Sequence, residues 1–184
     1  VRVVAIDLGA TNTRAAVLDQ DGRMGEKVEA KTPTGGADPD ILTGFLSGLV
    51  TRVCGGEIPD DITGIGLSVA GPVDIRNGTL LNPPNMPFRD VALTGPLSER
   101  FGIPVRMVND CHAGILGELA YGAAKGRQNV VYITISTGIG GGVLANGQIL
   151  LGRDGNAGEI GHFHVDDTYD LICGCGHSGH WEGY

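Results

Sequence analysis

Residues 2–8 (Arg-Val-Val-Ala-Ile-Asp-Leu) form an apolar, β-branched run that stops at a Gly/Ala/Thr/Asn turn, which predicts a buried strand broken by Asp7. Residues 14–19 and 26–32 read as two further strands, with Asp21-Gly22 as the hairpin signal between them. Strand, glycine turn, strand is not the dinucleotide-binding pattern, in which a helix follows the glycines. Between Pro39 and Val53 the apolar positions are Ile41, Leu42, Phe45, Leu46, Leu49, Val50 and Val53, a helical spacing. Asp38 suits the N-cap of that helix and Pro39 its first position. A strand over 62–69 follows, then a loop from Arg76 to Phe88 rich in Asn, Pro and Gly.

A helix over about 93–101 is expected to end at Gly102, and a strand over 103–108 delivers Asn109 and Asp110. Residues 113–124 read as a helix. Strands 129–136 and 141–146 flank Thr137-Gly138 and continue through an Asn146-Gly147 hairpin into 148–151. From Gly152 onward no long periodic element is visible. The order βββαβ, αβα, ββ predicts a mixed α/β chain. Tyr184 follows no terminating element, so further residues are expected beyond it.

Composition narrows the reading. The chain has 184 residues and is 41% hydrophobic but only 5% aromatic, with 32 glycines clustered beside Asp, Thr, Asn and His. Such glycines read as site-building loops. The net charge is −8, and Lys27, Lys31 and Lys125 are the only lysines. An acidic chain without a basic stripe is a poor nucleic-acid binder. No apolar run has membrane-spanning length and the first residues are not a signal peptide, so no membrane partner and a cytoplasmic location are expected. Four cysteines in that compartment argue against a disulfide framework; Cys54 and Cys111 read as packing residues.

Two segments have the chemistry of phosphate turns. In Asp7-Leu8-Gly9-Ala10-Thr11-Asn12-Thr13-Arg14, Gly9 lets backbone N–H groups approach an anion, and the Thr11 and Thr13 hydroxyls can donate to phosphate oxygens. Asp7 can hold Mg²⁺ directly or through water. Residues 136–142 (Ser-Thr-Gly-Ile-Gly-Gly-Gly) repeat the design, with Thr137 and Gly138 at the turn. Each could equally be a plain glycine hairpin, and neither is a P-loop. Asp110, at the end of an apolar strand, can accept a hydroxyl proton during phosphoryl transfer, or can simply cap the helix after it.

The motifs DLGATNTR, SVAGPVD, Asn109-Asp110, STGIGGG, GNAGEIGH and CGCGHSGHWEGY, in that order, resemble the ROK family (repressors, open reading frames, kinases) over almost the whole chain. The resemblance implies the ribonuclease H-like, actin/hexokinase-type ATPase fold, with an N-terminal lobe over 1–110 and part of a second lobe over 111–184. It implies ATP-dependent phosphorylation of a hexose, most often glucose at its 6-hydroxyl, in an enzyme that usually forms a homodimer. Asp110 would be the base. Gly71, Asn85, Asn109, Asp110, Glu159, His162 and Glu182 would bind the sugar. Asp7, Gly9, Thr11, Asn12, Thr13, Arg14, Thr137 and Gly138 would face ATP and Mg²⁺. The adenine pocket would come from chain beyond residue 184, so these residues alone are expected to be inactive.

The family pattern also places one His and three Cys on a structural zinc. Here the third Cys is His180, so His162, Cys173, Cys175 and His180 would form a Cys₂His₂ set, or a metal-free loop held by hydrogen bonds. One nitrogen of His162 would bind metal and the other a sugar hydroxyl. His164 and His177 read as solvent-facing. Ala10 stands where the family has a second glycine, which a negative φ would tolerate. Alternatives are a ROK-type sugar-sensing regulator, a non-catalytic sugar-binding protein, or a kinase for another hexose such as fructose or N-acetylmannosamine. With no basic recognition helix of the family's winged helix-turn-helix repressors ahead of the first motif in these residues, DNA binding is not expected.

Overall fold

A computed structural model describes residues 1–184 except Ala37, Thr137 and Asp154. The chain folds as two compact units, Val1–Asp110 and Cys111–Tyr184. Among the described residues no helix is long and apolar enough to cross a membrane.

The first unit is built on a five-stranded sheet. Its strands are β1 (Arg2–Leu8), β2 (Asn12–Asp19), β3 (Val28–Lys31), β4 (Ile62–Val69) and, after three short strands described below, β8 (Val105–Asn109). The order across the sheet is β3-β2-β1-β4-β8. The β1–β2–β3 meander is antiparallel, whereas β4 and β8 run parallel to β1. Parallel pairing needs crossovers, and helices supply them. Helix α1 (Pro39–Val53) lies between β3 and β4, and α2 (Thr94–Phe101) leads into β8. The Asp38 carboxylate accepts from the Asp40 amide at 3.0 Å and caps α1, as its sequence predicts. Gly102 ends α2 in the left-handed conformation (φ 68°).

Leu42, Leu46, Leu49 and Val50 of α1 and Leu97 of α2 join Val4, Ile6, Leu8, Ile65, Leu67 and Met107 of the sheet in one core. The expected loop between Arg76 and Phe88 is partly regular. Residues β5 (Val73–Asp74), β6 (Thr79–Leu80) and β7 (Val91–Ala92) make a small antiparallel sheet whose Leu80, Phe88 and Val91 are fully buried.

Helix α3 (Asp110–Tyr121) starts three residues before the position read from the sequence. The second unit has a three-stranded antiparallel sheet, ordered β11-β10-β9, from β9 (Val130–Ile135), β10 (Ile139–Ala145) and β11 (Gln148–Ile149). Asn146 and Gly147 both have positive φ (51° and 76°), the two-residue hairpin turn expected of Asn-Gly. The three glycines of β10 serve close approach. A Cβ on Gly140 or Gly142 would strike Cys111 or Ile115 of α3, and one on Gly141 would strike Ile160. Beyond β11, among the described residues, two short 3₁₀ turns, 160–162 and 181–183, are the helical elements.

Candidate active site

Parallel register aligns the carboxyl ends of β1, β4 and β8, the three parallel strands of the first unit. Leu8 pairs with Val69, and Val69 pairs with Asn109. Asp7, the loop at Ala70-Gly71, and Asn109-Asp110 therefore sit along one sheet edge, where α/β folds place ligands. Asp7 receives the Ser68 hydroxyl at 3.3 Å and the Arg14 guanidinium at 3.4 Å, and Arg14 also pairs with Glu29 at 3.2 Å. Asn109 is 6% exposed, and its amide nitrogen donates to the Gly71 carbonyl at 3.2 Å. That bond ties the end of β8 to the SVAGPVD loop. Asn85 lies exposed in the loop after β6. Asp110 is the first residue of α3, so it occupies a helix N-terminus and the end of a strand together.

The first glycine turn corrects one expectation. Thr11 is exposed, as a phosphate ligand must be, but Thr13 is fully buried. Its hydroxyl lies 2.8 Å from that of Thr32, and the Thr32 hydroxyl donates to the Gly9 carbonyl at 2.6 Å. With the Thr32 proton committed to Gly9, the Thr13 proton points to Thr32. Thr13 therefore braces the turn from behind and has no proton for a phosphate. The Gly9 amide donates to the Asn12 carbonyl at 3.2 Å and the Thr32 amide to the Thr11 carbonyl at 3.0 Å, so β3 grips the turn too. Ala10 is not among the residues of positive φ, and the methyl group fits.

In the second unit the distant motifs GNAGEIGH and CGCGHSGHWEGY come together. The ligand atoms of His162, Cys173, Cys175 and His180 all lie within 4.8 Å of one another. His162 Nδ1 is 3.5 Å from Cys173 Sγ, and His180 Nδ1 is 3.3 Å from Cys175 Sγ. Tetrahedral zinc with N and S ligands needs separations of about 3.3–3.8 Å, so the two close pairs already have them and the set fits the ion. The remaining nitrogen of His162, Nε2, is 3.7 Å from a Glu159 carboxylate oxygen. One face of that ring thus looks to the cluster and the other to an exposed carboxylate. Burial pushes the Cys173 thiol up, whereas the His177 amide and then its imidazole draw exposed Cys175 down to about 6.

His177 is exposed, as the sequence predicts, yet it touches the cluster. Its Nδ1 is 3.6 Å from Cys175 Sγ and its ring stacks on His180, although it is not one of the four. His164 pairs instead with Asp167 at 2.7 Å. Glu182 accepts from the Ile139 amide at 2.9 Å and from Cys173 Sγ at 3.5 Å. Thr137, expected in the second phosphate turn, lies outside the described residues; Gly138 beside it abuts Glu182. Two residues escaped sequence reasoning. Thr32 reveals itself only through the pairing of β2 with β3. His112 is 1% exposed, and neither ring nitrogen has a hydrogen-bond partner among the described residues.

Elsewhere, a depression of about 260 Å³ is lined by Glu26, Lys27, Glu29 and Arg52 and contains none of the motif residues.

The meander with two added parallel strands is the ribonuclease H-like arrangement of the actin/hexokinase-type ATPases. The chain belongs to the ROK family, whose model matches residues 3–184. It is 36% identical over 183 residues to a glucokinase of Pyrobaculum calidifontis, covering 100% of this chain and 56% of the relative. It is also 34% identical over 185 residues to the xylose repressor of Bacillus spizizenii, covering 98% of this chain and 47% of the repressor. Among solved structures, it matches a ROK family glucokinase from Streptomyces griseus in complex with glucose and AMPPNP. There the TM-score is 0.86 at 34% identity, over 100% of this chain and 57% of that one. The chain thus spans about half the length of these relatives.

Proposed function

We propose that the chain carries the phosphate turns, base and sugar ligands of an ATP-dependent hexose kinase, with glucose as the leading substrate. The observation that supports this best is the match of the whole chain to a glucokinase in complex with glucose and AMPPNP. Asp110 accepts the proton of the attacking sugar hydroxyl. The hydroxyl oxygen bonds to the γ-phosphorus as the bond to the β-phosphate oxygen breaks, and ADP leaves. Asn109 and the Gly71 loop, already joined by a hydrogen bond, orient that hydroxyl; Asn85, Glu159, His162 and Glu182 bind the others. Gly9, Thr11, Asn12 and Gly138, with Thr137, cradle phosphates, while Asp7 holds Mg²⁺ and Arg14 pairs with Asp7. Zinc on His162, Cys173, Cys175 and His180 would fix the loop that presents His162 and Glu182. A cytoplasmic homodimer is the assembly we expect.

Asp110→Asn in the complete polypeptide should lower hexose-dependent ADP release by at least about 10³-fold while hexose affinity stays within a few-fold. Retained turnover would remove Asp110 from the role of base. A second reading, a sugar-sensing regulator, draws on the similarity to the xylose repressor. Hexose binding with no phosphate transfer by the unaltered protein, across a panel including glucose, fructose and N-acetylmannosamine, would favour it.

A further inference from the structure

Glu182 reaches two motifs that lie far from it in sequence. Its Oε2 accepts the backbone N–H of Ile139 at 2.9 Å, and its Oε1 accepts from Cys173 Sγ at 3.5 Å. Ile139 is the first residue of β10 and closes the glycine turn, where the Ser136 amide also donates to the Gly138 carbonyl at 2.9 Å. Gly138 leaves room for the carboxylate, because a Cβ there would overlap Glu182 Oε2. The carboxylate is thus wedged against the turn on one side and, with no metal on the cysteine loop, accepts from the Cys173 thiol on the other. A hydroxyl ligand for sugar needs neither contact. A charged acceptor on a backbone amide makes a strong hydrogen bond and fixes the local backbone conformation.

We infer that Glu182 is a positioning residue for the second glycine turn: its carboxylate holds the backbone at Gly138 and Ile139 in the form that receives a nucleotide's phosphates. The phosphate part rests on the kinase reading above. Two consequences separate this from a purely sugar-binding role. Glu182 should protect the Ile139 amide with no ligand present, and it should influence nucleotide affinity with no sugar present.

The test is amide hydrogen exchange at Ile139 together with AMPPNP titration, both on the complete polypeptide without hexose. In Glu182→Ala, exchange at Ile139 should accelerate about 10- to 100-fold, the loss of one charge-assisted bond, while the β10–β11 hairpin is unchanged. AMPPNP affinity should fall in parallel. Glu182→Gln keeps an oxygen acceptor and should recover most of both. Gly138→Ala, which leaves Glu182 in place but crowds it, should reproduce the Glu182→Ala exchange pattern. Unchanged exchange at Ile139 in folded Glu182→Ala overturns the positioning role. If that variant does not fold, unchanged exchange in Gly138→Ala overturns it instead. Faster exchange with unaltered AMPPNP affinity overturns the link to phosphates. An unaltered protein that fails to bind AMPPNP defeats the kinase reading, and the exchange result then stands on its own.

Discussion

Removing the Thr32 hydroxyl should cost far more stability than removing its partner's. Thr13 offers one proton, to Thr32; Thr32 both receives that proton and donates its own to the Gly9 carbonyl. Thr13→Val deletes one hydrogen bond and leaves Thr32 bonded to Gly9, a loss of about 1 kcal/mol. Thr32→Val deletes the bond to Gly9, about 1 kcal/mol, and strands the Thr13 hydroxyl where its residue is 0% exposed, about 1–3 kcal/mol more, for roughly 2–4 kcal/mol in all. The double variant strands no hydroxyl, so it should be no less stable than Thr32→Val alone. The coupling measured in a double-mutant cycle should therefore be about 1–3 kcal/mol. Urea unfolding of the four proteins, followed by circular dichroism, gives these numbers from midpoints at a common slope. Equal losses for the single variants, or simple additivity, would refute the assigned direction of the two hydrogen bonds. The same proteins test the reassignment of Thr13. Thr13→Val should retain AMPPNP affinity in the complete polypeptide, whereas Thr11→Ala, at an exposed position of the turn, should weaken it.

In the metal-free protein, alkylation of Cys175 should follow a pH profile with its midpoint near 6, because the His177 amide and imidazole favour the thiolate; buried Cys173 should react much more slowly. Mass spectrometry of the peptide spanning 171–184 reads both, and a Cys175 midpoint above 8 would contradict the geometry. Asp38→Ala removes the acceptor for the Asp40 amide and should lower stability by about 1 kcal/mol, measured as a shift of the urea midpoint; no shift would mean the cap contributes nothing.

Elements with one dominant local signal were readable from the chain alone. Helix α1, with Asp38, Pro39 and a regular apolar stripe, has the expected bounds, as does β4 over 62–69. The strands β5 to β7 were not visible, since two residues of strand create no periodicity and their order comes from Leu80, Phe88 and Val91 packing inward. The sequence predicts a start at 113 for α3, which begins at Asp110, because Cys111 and His112 do not look like the first turn of an amphipathic helix; both are buried. At the site, the resemblance to the family's zinc pattern pointed to the four residues of the Cys/His cluster, and the structure brings those four together. Roles that depend on who sits behind whom were beyond reach. Thr13 looked like a phosphate donor until Thr32, nineteen residues away, claimed its proton. Glu182 likewise gained Ile139 as a partner only through folding.

The stretch after β11 has one further consequence. Among the described hydrophobic residues from Gly152 to Tyr184, Cys173 alone is in the buried class, while Phe163, Val165, Tyr169, Leu171 and Ile172 are exposed. At the centre of this segment stands the cluster of two imidazoles and two thiols. An ion that binds this cluster contributes its binding energy directly to local folding. The fraction of molecules with an intact GNAGEIGH-to-Glu182 surface would then follow the free concentration of a trace element in the surroundings.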